Sequence, residues 1–121
     1  MPLPVPPAHV ASVRIVHYPD YVRTRSTVSP AQLDRIATAR VVVRERARID
    51  DVVHALDGMH ASPGERSPDS RWGVTLLDAN GAVLARVYFD KFGKTALIDG
   101  RTANVDGAPV VHLLAKLAPA A

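Results

Sequence analysis

Five histidines, at positions 9, 17, 54, 60 and 112, are the first residues whose chemistry deserves weighing. His54, Asp57 and His60 carry ligand-type side chains, but residues three apart on a helix are neighbours and residues six apart are not. Gly58 also reads as a helix stop between them, so the spacing predicts solvated side chains and no metal site. His17 falls on the buried parity of a strand and reads as a core histidine. A small hydrolase or lyase using His17, His54 or His112 with an aspartate is the enzymatic alternative. The adjacent carboxylates Asp50 and Asp51 stand at a helix start, where unpaired amides and the positive dipole end already account for them. No Gly-x-Ser-x-Gly elbow, phosphate-binding loop, dinucleotide fingerprint or His-Glu-x-x-His occurs. The chain has no cysteine, which excludes a thiolate nucleophile, a thiolate metal site and a disulfide framework. No catalytic residue, metal or cofactor is therefore assigned.

Arginine is the residue that stands out. Arg40, Arg44, Arg46 and Arg48 alternate along one stretch, with Val41, Val43, Ala47 and Ile49 on the other parity. Period two predicts a strand over Arg40 to Arg48 with guanidinium groups on one side and aliphatics toward the core. If Arg86 and Tyr88 lie on the same sheet face, a cationic, partly aromatic patch results. Arg44, Arg46, Arg86 and Tyr88 are accordingly the expected partner-binding residues, because arginine's planar fork suits carboxylates and phosphates and Arg and Tyr are enriched at protein interfaces; a solvated sheet face neutralised by Glu45 and nearby aspartates is the alternative.

The elements that must position these residues are read in chain order. Residues 1–9, rich in proline, read as a flexible tether, followed by a single domain over 10–118 and a frayed end at 119–121. Val10 to Tyr18 reads as a strand stopped by Pro19. Asp20 to Val28 carries Arg23 and Arg25 and offers no core. Ser29, Pro30 and Gln32 spell a capping box with proline at the first helical position, and Leu33, Ile36 and Ala37 share the buried face. After the arginine-bearing strand, Asp50 is the expected cap of a second helix with Val52, Val53 and Leu56 on one stripe and Gly58 at its end. His60 to Ser70 reads as the longest loop. Four alternating runs follow, Trp72 to Asp78, Ala82 to Asp90, Lys94 to Asp99 and Arg101 to Val105, with Asp78-Ala79-Asn80-Gly81 and Asp99-Gly100 as hairpin turns. Val74, Leu76, Val83, Ala85, Val87 and Phe89 are the expected core face, with Trp72 at the core's edge. Val110, Leu113, Leu114 and Leu117 form the stripe of a last helix from Pro109 to before Pro119. The class is α+β: an antiparallel sheet with a C-terminal four-strand meander, covered by two or three helices, in the order β-α-β-α-β-β-β-β-α.

At 121 residues the chain fits one domain with one core. The net charge is +3, carried by twelve arginines against three lysines, a bias that a GC-rich genome produces without selection for function. A positive surface favours an acidic partner through long-range steering. Six aromatic residues leave few stacking platforms, so a small basic nucleic-acid-binding domain is the alternative reading. No run is long enough to span a membrane.

Ile49-Asp50-Asp51-Val52-Val53 with Leu56, then Trp72, Asp78-x-Asn80-Gly81, Val83-Leu84, Asp99-Gly100 and the closing 110–117 helix resemble the layout of small bacterial exported proteins and lipoproteins. These include immunity proteins of toxin–antitoxin-like effector–immunity pairs. The resemblance covers about half the chain and implies a non-enzymatic inhibitor that occludes a secreted effector. It also implies a periplasmic, mature exported domain with its targeting segment absent, the cytoplasm being the alternative. It transfers no functional residue, and there is no lipobox cysteine.

Overall fold

A computed structural model describes residues 6–19 and 27–118. After a 3-10 turn at Pro7–His9, the elements are β1 (Ser12–His17), α1 (Pro30–Ile36), β2 (Ala39–Val43), α2 (Arg46–Asp57), β3 (Ala61–Pro63), β4 (Trp72–Leu77), β5 (Val83–Phe89), β6 (Thr95–Ile98), β7 (Arg101–Val105) and α3 (Ala108–Leu117). The strands form one antiparallel sheet in the order β2-β1-β4-β5-β6-β7-β3. The chain is thus α+β, with the expected meander β4 to β7. Among the described residues no helix is long and apolar enough to cross a membrane.

Side-chain alternation divides the sheet into two unequal faces. On one, Val13, Ile15, Trp72, Val74, Leu76, Ala85, Val87, Phe89 and Ala96 meet Ile49, Val52, Val53 and Leu56 of α2 and Val110, Val111 and Leu114 of α3 in the main core. On the other, Val16, Val28 and Tyr88 gather around Leu33 of α1. Two helices cover the first face, whereas one helix of seven residues covers part of the second.

The local signals that start α1 and the last hairpin operate as the residues require. Ser29 Oγ accepts from the Gln32 amide at 3.2 Å, and Gln32 Oε1 accepts from the Ser29 amide at 3.0 Å, which completes the capping box. Asp99 (φ 46°) and Gly100 (φ 85°) both take positive φ between β6 and β7, the geometry of a type I′ turn.

Three expectations are corrected. The strand expected over Arg40 to Arg48 ends at Val43, and α2 begins at Arg46, so Asp50 lies inside the helix and Glu45 takes the N-cap position. Ile49 decides this: with Val52, Val53 and Leu56 it makes an i, i+3, i+4, i+7 stripe that is buried throughout, and helical pairs Arg46–Asp50 and Glu45–Arg48 line the outer side. The segment read as one long loop from His60 contains β3, which pairs with β7 at the sheet edge; three exposed residues ending in proline leave no alternation to detect. Val83, expected in the core, is 44% exposed, because the register shifts between Leu76 and Leu77 and sets Val83 opposite Leu77 on the α1 side.

Of the expected tether, residues 1–5 lie outside the described residues, as do 20–26 with Arg23 and Arg25, and the expected frayed end 119–121. The remainder of the tether is held: Arg46 donates to the carbonyls of Val10 at 2.8 Å and Pro7 at 3.3 Å. Removing the α1 cap tests how much the second face relies on it. Ser29→Ala should lower stability by about 1 kcal/mol, read as a shifted urea midpoint with an unchanged m-value.

Candidate functional site

The second face of the sheet holds the candidate site. Residues two apart on a strand project to one side, so Arg86 and Tyr88 of β5 share this face, as the sequence predicts. Their environments differ: Arg86 is exposed and Tyr88 is buried beneath α1. The other two expected residues do not join them. Arg46 sits in the first turn of α2, in the layer covering the main core, with its guanidinium paired to Asp50 at 2.8 Å and bonded to backbone carbonyls. Arg44 is exposed in the two-residue link between β2 and α2. Arg48 pairs with Glu45 at 3.3 Å on α2, and Arg40, the one member of the run that is on β2, donates to the backbone carbonyl of Asp34. The arginine-faced strand is therefore replaced by a strand that ends before it and a helix that disperses its charges.

What β5 contributes is placed by close backbone approach. Gly73 of β4 lies between Val16 and Tyr88 in the sheet. A Cβ there would sit 2.8 Å from Val16 Cγ2 and 2.9 Å from Tyr88 Cε1, so the missing side chain is what lets the Tyr88 ring lie across β4. The phenol then reaches α1 and donates to the Asp34 carboxylate, at 3.3 Å to Oδ2. Burial raises the Tyr88 pKa above its ordinary 10.0, the Asp34 charge and hydrogen bond add to the rise, and Arg86 partly offsets it. Tyr88 is thus a neutral donor at physiological pH, a structural strut between sheet and helix.

Beside this strut lies a groove of about 520 Å³ between α1 and the β5–β6 hairpin, lined by Asp34, Val83, Leu84, Arg86, Tyr88 and Leu97 among others. Asp99, at its end, uses Oδ1 to accept the Arg86 backbone amide at 2.8 Å. The Arg86 guanidinium has no ion pair among the described residues. Sequence reasoning missed Arg14, which alternation alone puts on the outer side of β1. The sheet order brings it close to Arg86, since Arg14 pairs with Thr75 and Thr75 with Arg86.

The histidines fall elsewhere. His17 is buried and stacks on Trp72 with ring centroids 3.7 Å apart and planes 13° from parallel. His54 and His112 are exposed on α2 and α3, and His60 lies past the end of α2, its backbone amide donating to Asp106 at 2.6 Å. Among the described residues, no three histidine, aspartate or glutamate side chains are grouped so as to hold one metal ion. A further sequence surprise is Arg71, which is buried, donating to Asp69 at 3.2 Å and to the Pro19 carbonyl at 3.0 Å. Asp69 also accepts the Val28 amide at 2.7 Å, so this ion pair ties β4 to the chain entering α1.

No family model, no curated protein and no solved structure matches this chain.

Two variants test the strut. Gly73→Ala should destabilise by about 1–3 kcal/mol in chemical denaturation, because the added methyl forces a buried valine and a buried, hydrogen-bonded tyrosine ring to shift. For Tyr88, a pKa raised by folding means that the folded state holds the phenolic proton more tightly. That contribution is present below the ordinary value of 10.0 and is lost as pH rises through the folded-state value. Wild type should therefore lose stability between about pH 9 and about pH 12 more steeply than Tyr88→Phe, measured by urea midpoints across that range.

Proposed function

We propose that this chain is a protein-binding module that docks a partner protein on the half-covered sheet face beside α1. The observation that carries the reading is Arg86: an exposed guanidinium without an ion pair among the described residues, standing in a groove that also exposes Val83 and presents Leu84 and Leu97. An exposed cation set among apolar side chains is the composition of an interface anchor, where arginine combines charge, planar hydrogen bonding and stem packing. Tyr88 supports the wall of that groove; its ring is buried, so it offers no stacking surface to a base. This favours a protein over a nucleic acid as the partner.

The finer form of the reading is an immunity or inhibitor protein that occludes a secreted bacterial effector in the periplasm. Its support is the resemblance of layout from Ile49 onward to small exported immunity proteins, together with the partly uncovered sheet face on which Arg86 stands. Arg86 and Tyr88 remain in the proposed site as contact and support; Arg14 joins them, and Arg44 and Arg46 leave it.

A photo-reactive amino acid at Leu97 of the full chain, in the cell that produces it, should yield one discrete cross-linked protein. The same group at His112, in the opposite helical layer, should not. With that protein purified, Arg86→Glu should raise Kd at least about tenfold while leaving the thermal midpoint within a degree or so. Adducts from His112 alone, with affinity unmoved by the charge reversal, would place the interface elsewhere.

A further inference from the structure

Across the second face, one row of residues runs Val42, Arg14, Thr75, Arg86 on strands β2, β1, β4 and β5. Neighbouring strands lie about 4.8 Å apart, so the two arginine Cα atoms are separated by about 10 Å with Thr75 midway between them. Two guanidinium groups on stems of that length can meet above the threonine hydroxyl. Both arginines are exposed and Thr75 is half-buried. Neither arginine has an ion pair among the described residues, whose salt bridges are Arg46–Asp50, Arg48–Glu45 and Arg71–Asp69. The carboxylates bordering the groove are already engaged: Asp99 accepts the Arg86 amide at 2.8 Å and Asp34 accepts the Tyr88 hydroxyl. Two like charges in one row repel each other, and an anion between them relieves that repulsion.

We propose that Arg14, Thr75 and Arg86 form a carboxylate cradle that receives one aspartate or glutamate side chain of the partner protein. The proposal rests on the protein-docking reading of this face and names what that face recognises. Two planar forks supply paired N–H donors and the threonine a hydroxyl, a set that matches the two oxygens of a carboxylate. The surroundings select a protein carboxylate over a nucleic-acid phosphate. Val42 lies next to Arg14 in the row and Val83 on the same face beyond Arg86, and they are 42% and 44% exposed. An acidic residue flanked by apolar side chains buries both valines when it docks, whereas a phosphate backbone leaves them in water.

The test uses the full chain and a defined probe, the tripeptide Leu-Glu-Leu acetylated and amidated at its ends, with Leu-Gln-Leu as its neutral counterpart. In proton–nitrogen NMR spectra, the glutamate peptide should shift the Nε–H signals of Arg14 and Arg86 and the Thr75 amide together and saturably. The response should weaken at least about tenfold with the glutamine peptide or in the Arg14→Gln/Arg86→Gln double variant. Both substitutions are at exposed positions, and an unchanged spectrum elsewhere verifies the fold. Equal responses to both peptides overturn the cradle, as does a shift pattern centred on other arginines. Inorganic phosphate binding at the same three residues more tightly than the peptide also overturns it, since the site would then be one for phosphate. Failure of the cradle is separable from failure of the docking face: a protein that still cross-links to Leu97 and binds the double variant with unchanged affinity overturns the cradle alone.

Discussion

β1 lies against β4 with Ile15 opposite Val74 and Val13 opposite Leu76, and nearly everything else in this molecule follows from that register. It joins the N-terminal strand pair to the meander and so makes one sheet of two segments that are distant in the chain. Because side chains alternate with period two, the same pairing aligns Ile15, Val74 and Val87 in the core and Arg14, Thr75 and Arg86 on the other side. A slip by one residue would exchange the sets, burying guanidinium groups and exposing valines. The core therefore enforces the arrangement of the surface; the charged row needs no interaction of its own to be held in place.

The two faces are finished to different degrees. α2 and α3 close the main core over Phe89, Trp72 and Leu76, each at most 5% exposed. α1 spans only Pro30–Ile36 and seats a single fully buried side chain, Leu33, against Val16 and Tyr88. A helix that short has little stability by itself and depends on its capping box, the Tyr88–Asp34 hydrogen bond and the Arg40 contact to the Asp34 carbonyl. The remaining part of the face keeps a groove and two exposed valines, whereas the opposite face of the central strands is packed under α2 and α3.

What the amino-acid order reveals directly is what short-range physics decides. The box at Ser29 and Gln32, the Asp99-Gly100 turn and the stripe from Val110 to Leu117 each concern residues within two helical turns of each other. The end of β2 was less accessible, because Ile49 satisfies both a strand parity and a helical stripe and only packing with Val52, Val53 and Leu56 chooses between them. β3 is invisible for a different reason: it is a strand solely because β7 offers it an edge. Half of the candidate site was legible as a spacing, Arg86 and Tyr88 on one strand. Arg14 and Thr75 were not, since their neighbourhood depends on which strands lie side by side, and alternation carries no information about that.

The order of strands has a consequence for how the protein comes into being. Of the described strands, β1 and β2 leave the ribosome before the others, and they can form a hairpin-like pair around α1, but the inner edge of β1 lacks its β4 neighbour until β4 has been made. During that interval Val13 and Ile15 lack the sheet that shields them, and a nascent chain is open to mispairing along that edge. Closure of the central β1–β4 seam is consequently a late, long-range event in synthesis, and any factor that delays translation between β2 and β4 prolongs the exposure of the strand on which half of the charged row is built.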